Sequence, residues 1–167
     1  MSQLLDFYRG IGSDGAGRTL SKILVWPDDE LEQVHNFIQW LFPLPEPSQY
    51  NPNAPLLTHE EIAAFRREPL LRQNLRRSFE RILAFLGLAI DAEGVAEGPN
   101  FDARRGDVWD FPNHNWLRIT RILRSLRLLG LEAEVRALFC WLEKMYLRRR
   151  FPITEETIAY WTAAVQS

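Results

Sequence analysis

Apolar residues recur along most of the chain at spacings of three and four, the period of an α-helix with one buried face. Leu31, Val34, Phe37, Ile38 and Leu41 form one such stripe. Asp28, Asp29 and Glu30 directly follow Pro27, and acidic residues favour a helix N-terminus. The pattern predicts a helix that carries this stripe and stops at Pro43. Five prolines from Pro43 to Pro55 then predict an extended connector, because each fixes φ and removes a backbone donor. Thr58 with Glu61 three residues later is a capping box, which starts a helix near His59. Pro69 either kinks that helix or opens a new one at its first position. Leu70, Leu71, Leu75, Phe79, Ile82, Leu83 and Phe85 carry a stripe on to Gly87, a suitable C-terminal cap.

Residues 91–113 hold Gly94, Gly98, Gly106 and several acids. They read as one long loop with at most a helical turn around 101–110, and a loop of this length in a compact domain is often functional. Asn113 can cap the next helix, whose stripe is Ile119, Ile122, Leu123, Leu126 and Leu129, ended by Gly130. A helix over 131–149 carries Val135, Leu138, Phe139, Leu142 and Tyr146. Thr154, followed by Glu155 and Glu156, opens a last helix with Ile158, Trp161 and Val165 on one side. No segment alternates convincingly with period two. The expected fold is all-α: a single compact domain over residues 1–167, with about five to seven helices and one long loop.

Composition narrows the chemistry. The 167 residues are 46% apolar and 25% charged, a globular balance that excludes collagen-like and disordered classes. The single Cys140 excludes an intramolecular disulfide and a Cys-based zinc site, and between Phe139 and Trp141 it reads as a buried, inert thiol. The longest uncharged apolar run, 83–90, falls far short of the roughly 20 residues of a membrane span. The start, Met-Ser-Gln-Leu-Leu-Asp, has no basic n-region. A cytoplasmic soluble protein without a membrane partner is the expectation. The three histidines, His35, His59 and His114, include no pair at i, i+4, so no metal and no cofactor is expected.

Charge is uneven. Residues 28–61 hold seven acids and no Lys or Arg, whereas residues 114–150 hold eight Arg and one Lys against three Glu. The second region could form an anion-binding face; solvated surface charge is the plainer reading. Arg148, Arg149 and Arg150 could contact phosphate, or simply complement a helix C-terminus. No aromatic interleaving favours nucleic acid.

Two stretches are more specific. Val34-His35-Asn36-Phe37-Ile38-Gln39-Trp40-Leu41-Phe42-Pro43-Leu44-Pro45-Glu46-Pro47 and His114-Asn115-Trp116-Leu117-Arg118-Ile119-Thr120-Arg121-Ile122-Leu123 resemble the two signatures of the opioid growth factor receptor family. Pro55-Leu56-Leu57-Thr58 with Glu61, Ile62 and Phe65 is similar to the segment between them. The resemblance also touches Phe7-Tyr8, Arg148-Arg149-Arg150-Phe151-Pro152 and Tyr160-Trp161, and so spans nearly the whole chain. It implies a receptor-like domain; the animal members are described as receptors for an enkephalin pentapeptide, associated with the nucleus and with growth restraint. The short, Arg-rich chain looks more like a bacterial relative, for which another ligand is expected.

The signatures share a pattern: His35-Asn36 lies on one helix and His114-Asn115 opens another. Four residues separate His35 from Gln39 and His114 from Arg118, which puts each pair on one helical face. Packed through their stripes, the two helices would gather His35, Asn36, Gln39, Trp40, His114, Asn115, Arg118 and Arg121 at a seam. Such a seam could hold a small anionic ligand or a peptide, with Arg118 as a fork, the amides orienting it and Trp40 as an apolar wall. A polar network that fixes helix register is the alternative for the same residues. Two further readings stand beside it: an enzyme using His35 or His114 as a general base, and an interaction protein using the Arg-rich face on an acidic partner or nucleic acid. Oligomeric state is not readable.

Overall fold

The computed structural model of the protein describes residues 2–166, which form ten α-helices and one β-hairpin. They group into two compact units: residues up to Phe79 together with Leu128–Gly130, and Glu80–Arg127 together with the residues from Leu131 onward. The all-α expectation holds. The helices outnumber the expected count because several are short and irregularly joined.

The first unit contains α1 (Gln3–Arg9), α2 (Leu20–Leu24), α3 (Asp28–Gln33), α4 (Ile38–Leu41), α5 (His59–Arg67) and most of α6 (Pro69–Phe85). It closes around aromatic rings. Phe7 meets Tyr8 and Trp40 edge-on at 5.6 and 5.5 Å, and Tyr8 meets Phe65 at 5.1 Å. The buried Tyr8 hydroxyl donates to the Leu41 carbonyl and lies 3.1 Å from Ser78 Oγ, while Asn74 Nδ2 donates to the Tyr8 carbonyl at 2.6 Å. Burial pushes the Tyr8 phenol well above its ordinary range, so it serves as a neutral donor. The Thr58–Glu61 capping box forms as expected, and Pro69 opens a new helix rather than kinking the old one. Leu70 departs from the expected stripe: it is exposed.

The helix expected through Leu31 and Leu41 is broken into α3 and α4. Val34 is extended (φ −89°, ψ 128°), and the backbone leaves the helix until Ile38. Side chains compete here with the helical ladder. Gln39 Nε2 donates to the His35 carbonyl at 3.2 Å, and Arg18 Nη2 donates to the Asn36 carbonyl at 3.3 Å. The break still buries Phe37 fully, edge-on to Trp26 at 5.6 Å. Arg18 is itself fixed by Asp14 at 2.8 Å and stacks over Trp26. The proline connector is not extended as expected: it bends and turns over residues 45–54 and comes back on itself, so that Leu44 bridges Leu56 and Leu57 N donates to the Leu44 carbonyl at 3.0 Å.

The second unit contains the end of α6, β1 (Leu88–Asp91), β2 (Gly94–Glu97), α7 (Phe101–Val108), α8 (His114–Leu128, to Arg127), α9 (Glu132–Leu147) and α10 (Glu155–Gln166). The stretch expected to be one loop is therefore ordered. β1 and β2 pair antiparallel, Leu88 opposite Glu97 and Asp91 opposite Gly94. Asp91 Oδ1 accepts from Glu93 N at 2.8 Å and tightens the two-residue turn. The run was too short and too alanine-rich to display a period of two.

This segment closes the end of α6, whose last carbonyls have no helical partner of their own. Asn100 Nδ2 donates to the Ala84 carbonyl at 2.7 Å, Arg104 Nε to Phe85 at 2.7 Å, and Trp109 Nε1 to Leu86 at 2.8 Å. Gly98 N donates to Gly87 at 2.8 Å. Gly87 has φ +80°, and a Cβ there would lie 3.1 Å from both Arg104 Cβ and Phe101 Cα. Only glycine suits both the dihedral and the approach. β2 and α10 both pack on α9. Trp161 Nε1 donates to the Trp116 carbonyl at 3.1 Å, and Trp109, Trp141 and Phe151 cluster, with Trp109 edge-on to Trp141 at 5.0 Å and both tilted against Phe151. Cys140, expected to be buried, is exposed because it falls on the outer side of α9 from Leu138 and Leu142.

Candidate functional site

The eight residues expected at a seam fall in different units, four in each. In the first unit, His35 and Asn36 lie in the break between α3 and α4 and are exposed. The expectation that His35 and Gln39 share a helical face is corrected: His35 is not helical. Gln39 is buried, donating to the His35 carbonyl and accepting from Asn51 Nδ2 at 3.3 Å. Both ends of its amide are thus engaged within the unit. Trp40 is buried against Phe7 and belongs to the aromatic core.

In the second unit the other four stand on α8. Asn113 builds its start: Oδ1 accepts from Asn115 N at 2.9 Å, and Nδ2 donates to the carbonyls of Val108 (2.9 Å) and Phe111 (2.6 Å). Asn115 is fully buried and its Oδ1 accepts from Arg118 Nη1 at 3.4 Å. Arg118 is 7% exposed and lies over the Phe85 ring at 5.8 Å. This pair supports α8 from inside, the register role that buried polar pairs commonly serve.

The outer side of α8 differs. His114 is exposed, Arg121 is half-buried, and Leu117 between them is 57% exposed. Spacings of three and four align these on one face. Just before the helix, Phe111 is 72% exposed although Asn113 fixes its backbone. Two large apolar side chains beside an imidazole and a guanidinium suit an amphipathic ligand. Leu117 and Phe111 were missed in the sequence because exposure, not residue type, marks them. The signal available was Leu117 falling off the Ile119–Ile122–Leu126 stripe.

A concave surface lies at the corner between α9 and α10. It has a volume of about 730 Å³ and is open to solvent, with Tyr146, Leu147, Arg149, Phe151, Ile153 and Glu155 among its lining residues. Among the described residues, no group of three or more His, Cys, Asp or Glu is placed to hold a metal ion, and no helix is long and apolar enough to cross a membrane.

The conserved-region model of the opioid growth factor receptor matches residues 5–167. The chain belongs to the opioid growth factor receptor family. It is 37% identical over 171 residues to the opioid growth factor receptor of Rattus norvegicus, covering 97% of this chain and 29% of that protein. The Homo sapiens receptor is 36% identical over 148 residues, covering 84% and 22%. Opioid growth factor receptor-like protein 1 of Mus musculus is 39% identical over 112 residues, covering 65% and 24%. The chain thus spans less than a third of the length of these family members. No solved structure matches it. Both signature stretches lie within the matched region, so the α8 face and the α3–α4 break belong to the shared part of the family.

Proposed function

We propose that the protein is a receptor-like binding module that takes an anionic peptide on the outer face of α8. His114 and Arg121 meet the anion, and Leu117 with Phe111 provides the apolar contact. Asn115 and Arg118 hold the helix beneath them. The observation that carries this reading is the exposed Leu117 between His114 and Arg121 on one helical face. Membership of a family whose named proteins are receptors for a growth factor supports it. The His35 side of the expected seam is not used, since Gln39 and Trp40 are engaged within their own unit.

The test is calorimetric titration with an aromatic pentapeptide in free-acid and amidated forms. The free acid binds more tightly than the amide, and Leu117→Ser and Arg121→Ala each weaken it about tenfold or more, roughly 1.4 kcal/mol. Equal affinity for acid and amide, or indifference to both substitutions with the fold intact, refutes the reading.

A further inference from the structure

The corner between α9 and α10 carries a feature that neither the family match nor the α8 face accounts for. α9 ends in a left-handed turn: Arg149 N donates to the Tyr146 carbonyl and Arg150 N to the Met145 carbonyl, at 3.0 and 3.1 Å. This closure ordinarily places glycine at the left-handed position. Here the position is Arg149, with φ +52°, the one non-glycine residue with positive φ among those described. A strained arginine at a concave surface points to a role for its side chain.

The surroundings define that role. Arg150 is held as a wall, paired with Glu97 and lying over the Phe101 and Phe151 rings at 5.4 and 5.2 Å. Arg149, one of the lining residues, is exposed and makes no ion pair with a described residue; Arg148 is exposed but does not line the surface. Leu147, 71% exposed, and the half-buried Tyr146 supply apolar surface on the same side. Glu155 is one of the lining residues, with Glu156 next to it in the first turn of α10. A polyanion would meet these two carboxylates, whereas a segment with one acidic locus would not. The volume is too large for a single inorganic anion and lies in the range that holds a short peptide.

We infer that the α9–α10 corner is a second docking site, for an extended peptide segment that sets an apolar side chain on Leu147 and Tyr146 and a carboxylate on Arg149. The inference stands independently of the α8 reading.

The experiment uses fluorescence anisotropy of the full chain with a labelled, acetylated and amidated hexapeptide containing Leu, Phe and two adjacent Glu. Its Gln counterpart and a six-nucleotide single-stranded RNA serve as comparisons. The Glu peptide is expected to bind at least tenfold more tightly than the Gln peptide. Arg149→Gly is expected to weaken it at least tenfold while the thermal midpoint holds or rises. Arg136→Ala, an exposed arginine elsewhere on α9, leaves it within twofold. Equal binding of the Glu and Gln peptides overturns the inference, as does tighter, Arg149-dependent binding of the RNA. Loss on Arg121→Ala but not on Arg149→Gly assigns the peptide to α8 and also overturns it.

Discussion

Arg149→Gly is expected to make the protein more stable, an unusual direction for a substitution at a charged position. A left-handed dihedral costs an L-residue about 1–2 kcal/mol relative to the right-handed region. Glycine removes that cost but widens the unfolded ensemble by about 0.4–1 kcal/mol. The difference leaves a net gain of about 0–1.6 kcal/mol, centred near 0.8 kcal/mol. The backbone bonds at Tyr146 and Met145 are unchanged by the substitution, and no ion pair of the Arg149 side chain is lost. For a chain of this size each kcal/mol moves the thermal midpoint by about 2–4 °C, so a rise of about 1–4 °C is expected. Urea unfolding followed by tryptophan fluorescence reads the same quantity. Arg149→Ala is the companion: it deletes the guanidinium but keeps the dihedral, and should stay within about 0.5 kcal/mol of wild type. A fall in midpoint for Arg149→Gly with no change in slope would refute the strain argument. It would mean that the arginine side chain stabilises the corner more than its dihedral costs.

Other outcomes follow from the packing. Tyr8→Phe strips the Leu41 carbonyl of its buried donor and should lower stability by about 1–2 kcal/mol in urea melts. Arg118→Ala should cost about 1–3 kcal/mol, through lost packing on Phe85 and the lost bond to Asn115, while leaving the α8 peptide affinity within threefold when measured on folded protein. The hydrogen bond from Arg9 holds the Glu68 carboxyl below its ordinary value, so its stabilising effect is complete above about pH 4.3 and is lost as pH falls through the lowered value. Glu68→Gln should flatten that acid slope, and because both groups are partly exposed, 1 M salt should flatten it too. Gly87→Ala should destabilise by well over 1 kcal/mol, since dihedral and close approach both oppose a Cβ.

The long stripes, the Thr58 box, the Asn113 cap and the Gly87 and Gly130 stops were readable because each is a local arrangement with a local cause. The break at Val34–Phe37 was not, since the pull on the Asn36 carbonyl comes from Arg18, eighteen residues earlier. Residues 91–113 misled for a related reason: their order depends on carbonyls at the end of α6 that no window of the sequence contains. The candidate site was half legible. Periodicity placed Arg118 beside the stripe, but a guanidinium beside a stripe can turn in or out, and Phe85 draws it inward. Leu117 went unnoticed because an exposed leucine is unremarkable until its neighbours on the same face are known.

The plug at the end of α6 bears on how this region could vary in length. Asn100, Arg104 and Trp109 reach three successive carbonyls from a segment whose own path is set by the hairpin before it. Adding or removing one residue between 98 and 100 would pull all three out of step at once, and a change between 104 and 109 would displace Trp109. The two-residue tip at Ala92 and Glu93 carries none of these bonds. Extra chain, a purification tag or a fluorescent loop is best accommodated at that tip, whereas trimming the glycine-bearing stretch behind it would unseat α6.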